Sequence, residues 1–124
     1  MNLNSLHNIY FIGIGGIGMS ALARYFYANK KHVAGYDKAK TDITDSLIDL
    51  GIQVHFDDAI DNIDSRFLNS ANTLVVYTPA VPGNHSELTY FKHNGFNVLK
   101  RSQVLGLITE NTFCLAVSGT HGKT

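Results

Sequence analysis

Tryptophan is absent from the 124 residues, proline occurs twice and cysteine once, and each shortage removes a class of protein. A lone thiol, Cys114, closes no internal disulfide. Its place in the apolar run Phe113-Cys114-Leu115-Ala116-Val117 reads as a buried, inert side chain in a reducing compartment. Ten basic residues against ten acidic ones leave no net charge, so no global field draws the chain to nucleic acid or to an anionic membrane. No apolar run approaches the length of a membrane span, and the first residues, Met1 to His7, have neither the positive charge nor the apolar stretch of a secretion signal. A cytoplasmic protein with no membrane insertion and no nucleic-acid partner is expected. At 44% hydrophobic residues the chain can bury one core.

What is present is a regular alternation of short apolar runs and helical patterns. Residues 8–14 form a strand with almost no polar residue, as burial on both faces demands. Met19, Leu22, Ala23 and Phe26 then recur at helical spacing. A second strand covers 32–37, and Thr41 or Asp42 can cap a helix with Ile43, Leu47 and Leu50 inward and Gly51 at its end. Strands follow at 53–56 and 73–78. Asn84, with Glu87 three residues on, marks a helix start; Leu88 and Phe91 share a face, and Gly95 closes the helix before a strand at 97–100. A last helix spans about 102–109 with Val104, Leu105 and Ile108 inward, weakened at Gly106. The expected fold class is α/β, a Rossmann-like parallel sheet with helices on both faces.

Two glycine-rich loops carry the chemistry. Gly13-Ile14-Gly15-Gly16-Ile17-Gly18 stands between strand and helix, where glycines permit a tight turn and let main-chain N–H groups approach a pyrophosphate. Asp37 closes the second strand, nineteen residues past Gly18, a spacing that suits a carboxylate accepting hydrogen bonds from a ribose. By themselves these residues specify a dinucleotide or a nucleoside diphosphate. The second loop, Ser118-Gly119-Thr120-His121-Gly122-Lys123-Thr124, follows the strand at 113–117; Val117 stands where the general phosphate-loop pattern has its first glycine. Its glycines can wrap phosphates, Lys123 can neutralise a transferred phosphoryl group, and the Thr124 hydroxyl suits a magnesium ion. No helix follows the loop in this chain, so a piece of a longer protein is expected.

The pair of loops resembles the Mur ligase family of peptidoglycan synthesis, in its N-terminal domain, over the whole chain. Gly13 to Ser20 is similar to the family's UDP-binding loop and Ser118 to Thr124 to its ATP loop, while His121 resembles the alanine-adding branch and a related peptide-recycling branch. The form of the first loop favours the alanine-adding branch. A departure stands at Thr78-Pro79-Ala80-Val81-Pro82, where many members have a Ser-Ser-Ala-type stretch and where Pro79 offers no N–H.

The resemblance implies UDP-N-acetylmuramate, L-alanine and ATP as reactants, with Mg2+. In that reading Gly15, Gly16, Gly18, Met19 and Ser20 serve the UDP diphosphate and Asp37 the uridine side. Gly119, Thr120, His121, Gly122, Lys123 and Thr124 bind ATP, Lys123 is catalytic and Thr124 is the metal ligand. It also implies a UDP-substrate-binding domain over 1–111 and the start of an ATP-binding domain over 112–124, with no turnover by this piece alone. An NAD-binding regulatory or redox module is the alternative that the first loop by itself leaves open. Asp57, Asp58, Asp61 and Asp64 read as a solvated connection, His55 and His85 lack metal partners at ligand spacing, and Tyr25 and Tyr27 read as packing.

Overall fold

The computed structural model describes residues 5–109. Five strands form one all-parallel sheet: β1 (Asn8–Ile12), β2 (His32–Tyr36), β3 (Gln53–His55), β4 (Thr73–Tyr77) and β5 (Asn97–Lys100), in the order β3-β2-β1-β4-β5. The helices are α1 (Ile17–Ala28), α2 (Asp42–Leu50), α3 (Ser86–His93) and α4, which occupies 101–109 of the described residues. Two 3₁₀ turns, Ile60–Asn62 and Ser65–Leu68, connect β3 to β4.

Strand periodicity distributes the core over both faces. Ile9 and Phe11 of β1 with Leu74 and Val76 of β4 join Met19, Leu22, Phe26, Leu47 and Val104 on one face. Tyr10, Ile12 and Val75 point the other way, onto Phe67, Leu88 and Phe91. Because both faces are covered, β1 and β4 read as continuous apolar runs rather than alternating ones. Each such fully buried aliphatic or aromatic side chain contributes roughly 1.5–3 kcal/mol.

Three expectations fail in detail. Leu50 is 47% exposed and Leu105 39% exposed; each sits on the solvent edge of a short helix whose buried stripe is filled by Leu47 or Val104. Helix α3 begins at Ser86, with His85 and not Asn84 as its N-cap, because a carboxylate from elsewhere in the chain holds its first amides. The first strand stops at Ile12, since Gly13 turns the chain with φ +95°, a conformation costly for any residue with a Cβ. The strand at 113–117, the phosphate loop and the boundary at 111 lie outside the described residues.

Candidate functional site

Strand order reverses between β1 and β4, so the loops after these strands diverge and leave a crevice at the carboxyl edge of the sheet, where open α/β sheets bind ligands. A cleft of about 420 Å³ occupies this place. Gly13, Gly16 and Met19 line it from the β1 loop and α1, Tyr36, Asp37 and Lys38 from the end of β2, Asp58 from the loop after β3, Thr78, Ala80, Val81 and Pro82 from the β4 loop, and His85 from the start of α3.

The N-terminus of α1 opens on this cleft without a cap of its own. Gly16 is the N-cap, no side chain accepts from the first turn, and the first turn holds no acidic residue. The starts of α2 and α3 differ. In α2, Thr41 and Thr44 form a reciprocal capping box, reinforced by Asp42 and Asp45. In α3, the Asp58 carboxylate takes the amides of Ser86 at 2.8 Å and Glu87 at 3.0 Å. An uncapped helix start carries exposed N–H donors and about half a positive charge, which an anion completes.

Loop geometry explains the glycines one by one. A Cβ on Gly13 would meet the Thr78 methyl at 2.5 Å, so the β1 and β4 loops pack together only with glycine there. At Gly15 a Cβ would lie 2.7 Å from Asp37 Oδ2, the atom that accepts the Gly15 N–H at 2.8 Å. Gly16 has open space, its nearest neighbour standing 3.8 Å away. Gly18 lies against the Arg101 guanidinium, 2.9 Å from the place of its Cβ, and outside the cleft lining.

Of the residues expected to serve the diphosphate and the uridine, Gly16, Met19 and Asp37 come together around the cleft. Gly15 supports the loop behind it, and its N–H is already given to Asp37. Ser20 is buried and donates its hydroxyl to the Ile17 carbonyl, within its own helix. Asp37 Oδ1 also accepts the Ala39 N–H, so this carboxylate braces the β1 loop and its own turn while keeping lone pairs for a further donor. Gly119 to Thr124 lie outside the described residues.

Sequence reasoning missed the acidic and imidazole groups along α3. Buried Glu87 accepts from the Tyr10 hydroxyl at 2.6 Å, pairs with His55 Nε2 at 2.6 Å and takes the Ala59 N–H at 3.2 Å. Burial, and then the Glu87 charge, push the Tyr10 phenol far above its ordinary value. Tyr36 is pushed up as well, by burial and then by Asp58 and Glu87. For Asp58 burial acts upward, yet the Ser86 and Glu87 amides and His85 outweigh it and hold the carboxyl below its ordinary value. The hydrogen-bonded partners among these lie 28 to 77 residues apart along the chain, so no local spacing announces them. No cluster suited to a metal ion occurs among the described residues, and no helix among them is long and apolar enough to cross a membrane.

A model of the Mur ligase family, catalytic domain, matches residues 8–112. The chain belongs to the Mur ligase family. It is 60% identical, over its full length, to the UDP-N-acetylmuramate–L-alanine ligase of Flavobacterium psychrophilum and 56% identical to that of Flavobacterium johnsoniae. It spans 28% and 27% of those two proteins. Among solved structures, the UDP-N-acetylmuramate–alanine ligase of Thermotoga maritima superposes with a TM-score of 0.75 at 30% identity, over 84% of this chain and 23% of that one. The UDP-N-acetylmuramate:L-alanyl-gamma-D-glutamyl-meso-diaminopimelate ligase of Neisseria meningitides shares the fold with a TM-score of 0.69 at 22% identity, over 81% of this chain and 30% of that one. As a Mur ligase chain, it has the expected five-stranded parallel sheet at its centre.

Proposed function

We propose that the protein acts as an ATP-dependent ligase joining L-alanine to UDP-N-acetylmuramate, and that the described residues hold the UDP end of that substrate. The observation that carries this reading is the uncapped start of α1 at the switch-point cleft, where α2 and α3 both begin with side-chain caps. Two negative phosphates suit that end, with the first-turn N–H groups of Ile17, Gly18 and Met19 as donors and Gly16 leaving them room. Gly15 and Ser20 support these residues from behind. Asp37, at the end of β2, has accepting capacity left for the uridine side.

A free carboxylate is a poor electrophile, so the lactyl carboxylate of the sugar must be activated before an amine attacks it. ATP with Mg2+ supplies that activation as a phosphoryl group. Gly119 to Thr124 are the residues assigned to ATP, with Lys123 stabilising charge on the transferred group and Thr124 on the metal. The cytoplasm, where ATP is available, is the compartment this reaction requires. UDP-sugar recognition and phosphoryl transfer thus belong to different parts of the chain.

An NAD-binding module would use the same cleft, so the test compares the two ligands directly. Calorimetric titration is expected to give saturable binding of UDP-N-acetylmuramate and far weaker binding of NAD, and the whole protein is expected to release phosphate from ATP only when L-alanine is present. Tighter binding of NAD, or phosphate release indifferent to alanine, would overturn the proposal.

A further inference from the structure

The exposed large apolar side chains of the described residues, Ile17, Tyr25, Tyr27, Ile48, Leu50 and Leu105, all lie on α1, α2 and α4, the helices packed on one face of the sheet. None of them lies on α3, which covers the other face. Tyr25 and Leu105 line a groove of about 280 Å³ between α1 and α4, with Ala21 and Leu22 on its α1 wall and Ile108 on its α4 wall. Ile17, 83% exposed, stands one helical turn before Ala21 and continues the same stripe toward the cleft. Among the described residues that line the groove, Arg101 alone is charged, and it sits at the head beside Gly18. Contiguous exposed apolar surface of this kind marks a place that another body covers.

The course of the chain says which body that is. Helices α1 and α4 run side by side in one direction, since Gly18 faces Arg101 at their starts while Tyr25 and Ile108, each seven residues further on, share the groove. The described residues end at 109, on α4 itself, and the chain goes on from there into residues 110–124. It spans 28% and 27% of the two Flavobacterium relatives, so in proteins of that length the greater part follows at this lip of the groove. Over 101–109, α4 carries the chain about 13 Å away from the carboxyl edge of the sheet, at about 1.5 Å per residue. The strand expected at 113–117 spans about 17 Å at about 3.3 Å per residue. Running back beside α4, it would cancel that descent.

We propose that the apolar groove between α1 and α4 seats the ATP-binding part of the same protein, through an apolar surface of that part, and so sets the glycine-rich loop at 118–124 level with the start of α1. This rests on the ligase reading given above. The seat has a chemical purpose: the sugar carboxylate held from the cleft and the phosphoryl group held by the second loop react only when the two parts keep a fixed spacing. Ile17, Tyr25 and Leu105 then act as positioning residues and touch no reactant.

The test is hydroxyl-radical footprinting of the whole protein, read by mass spectrometry over a dilution series. Two pairs of like side chains with like exposure serve as internal controls: Tyr25 against Tyr27, at 42% and 37%, and Leu105 against Leu50, at 39% and 47%. Tyr25 and Leu105 are expected to oxidise several-fold more slowly than their counterparts at every concentration. Equal rates within both pairs would overturn the proposal, and protection that fades on dilution would overturn it in favour of a second copy of the chain. Beside this, Ala21→Glu with Leu105→Glu places two carboxylates, both at exposed positions, where the seat would bury them unpaired. This variant is expected to bind UDP-N-acetylmuramate as the wild type does and to lose alanine-dependent phosphate release by about 100-fold, as misplacement of reacting groups implies. Full turnover in the variant would overturn the seat. A variant that also loses the UDP-sugar is misfolded, and the wild-type footprint then decides. Wild-type phosphate release indifferent to alanine would sink the ligase reading, while the footprint still decides whether the groove is covered.

Discussion

Helices α1 and α3 both begin at the cleft, and they begin in opposite ways. Helix α3 has its first amides taken by the Asp58 carboxylate, reached from a loop 28 residues away, and adds Glu87 in its first turn. Helix α1 starts at Gly16, with no side-chain acceptor and no acid. The two ends have the same dipole and the same need for an acceptor. One is completed within the chain and contributes to stability; in the proposed reading the other is left to a ligand and contributes to binding. The difference separates the two helix starts more sharply than the glycines do, because Gly13 and Gly18 answer to packing against Thr78 and Arg101.

Giving α1 the cap it lacks should have the largest effect. In Gly16→Asp the backbone angles, φ −67° and ψ 155°, are open to any residue, and a Cβ meets nothing closer than 3.8 Å. The new carboxylate would cap the first turn, so stability should change by less than about 1 kcal/mol. Binding should fall by at least about 100-fold, since two unit charges some 4 Å apart repel by about 4 kcal/mol at an effective dielectric of 20. Calorimetry with UDP-N-acetylmuramate beside a denaturant titration reads both, and a variant that binds normally would break the comparison.

Removing the cap that α3 has should do the reverse. Asp58→Ala is expected to lower stability by about 1–2 kcal/mol, the range for a lost helix cap. Because the folded-state carboxyl of Asp58 is depressed, its contribution is present above the ordinary value of 3.8 and is lost as pH falls through the lower folded value. Urea midpoints of wild type and variant should therefore differ by a constant amount near neutrality and converge below about pH 4. A gap that persists at lower pH would mean that the carboxylate is not what caps α3.

Behind that cap, Tyr10→Phe removes the hydroxyl donated to buried Glu87 and should cost about 1–3 kcal/mol. The raised phenol of Tyr10 works in the opposite pH direction: its stabilisation is whole below the ordinary value of 10.0 and declines as pH rises above it. Alkaline titration of stability should thus be shallower in the variant than in the wild type. Equal slopes would remove Tyr10 from the account.

The smallest effect is expected at Gly18→Ala. Its Cβ would approach the exposed end of Arg101, which can move aside, and alanine gains about 1 kcal/mol of helix propensity over glycine. The main-chain N–H remains, so affinity for the UDP-sugar should change by less than about tenfold. A large loss would mean that the ligand also packs against the Cα of Gly18, beyond the contact with its N–H.

Much of this was readable from local pattern. Strands β1 and β4 announce themselves as apolar runs, Thr41 and Gly51 bracket α2, and Gly95, with φ +77°, closes α3 as its position suggests. Leu50 and Leu105 misled because a helix of two or three turns has room for only one buried stripe, and helical spacing does not say where that stripe ends. The start of α3 and the polar side of the cleft were hidden for another reason: Asp58, His85 and Glu87 acquire their roles from partners distant in sequence. The aspartates after β3 read as a solvated connection, and two of them, Asp58 and Asp64, turn out to accept main-chain N–H groups at the starts of helical turns. Glycine spacing found the loop but could not separate the glycine that leaves room for a ligand from those that leave room for Thr78 and Arg101.

The most direct test of the uncapped-helix claim is an amide ¹H–¹⁵N titration of the protein with UDP-N-acetylmuramate, comparing the first turns of α1 and α3. The account predicts large, saturable shifts for Ile17, Gly18 and Met19, with the Ser86 and Glu87 amides still bonded to Asp58 and little moved. Shifts confined to Ser86 and Glu87, with the first turn of α1 silent, would contradict it.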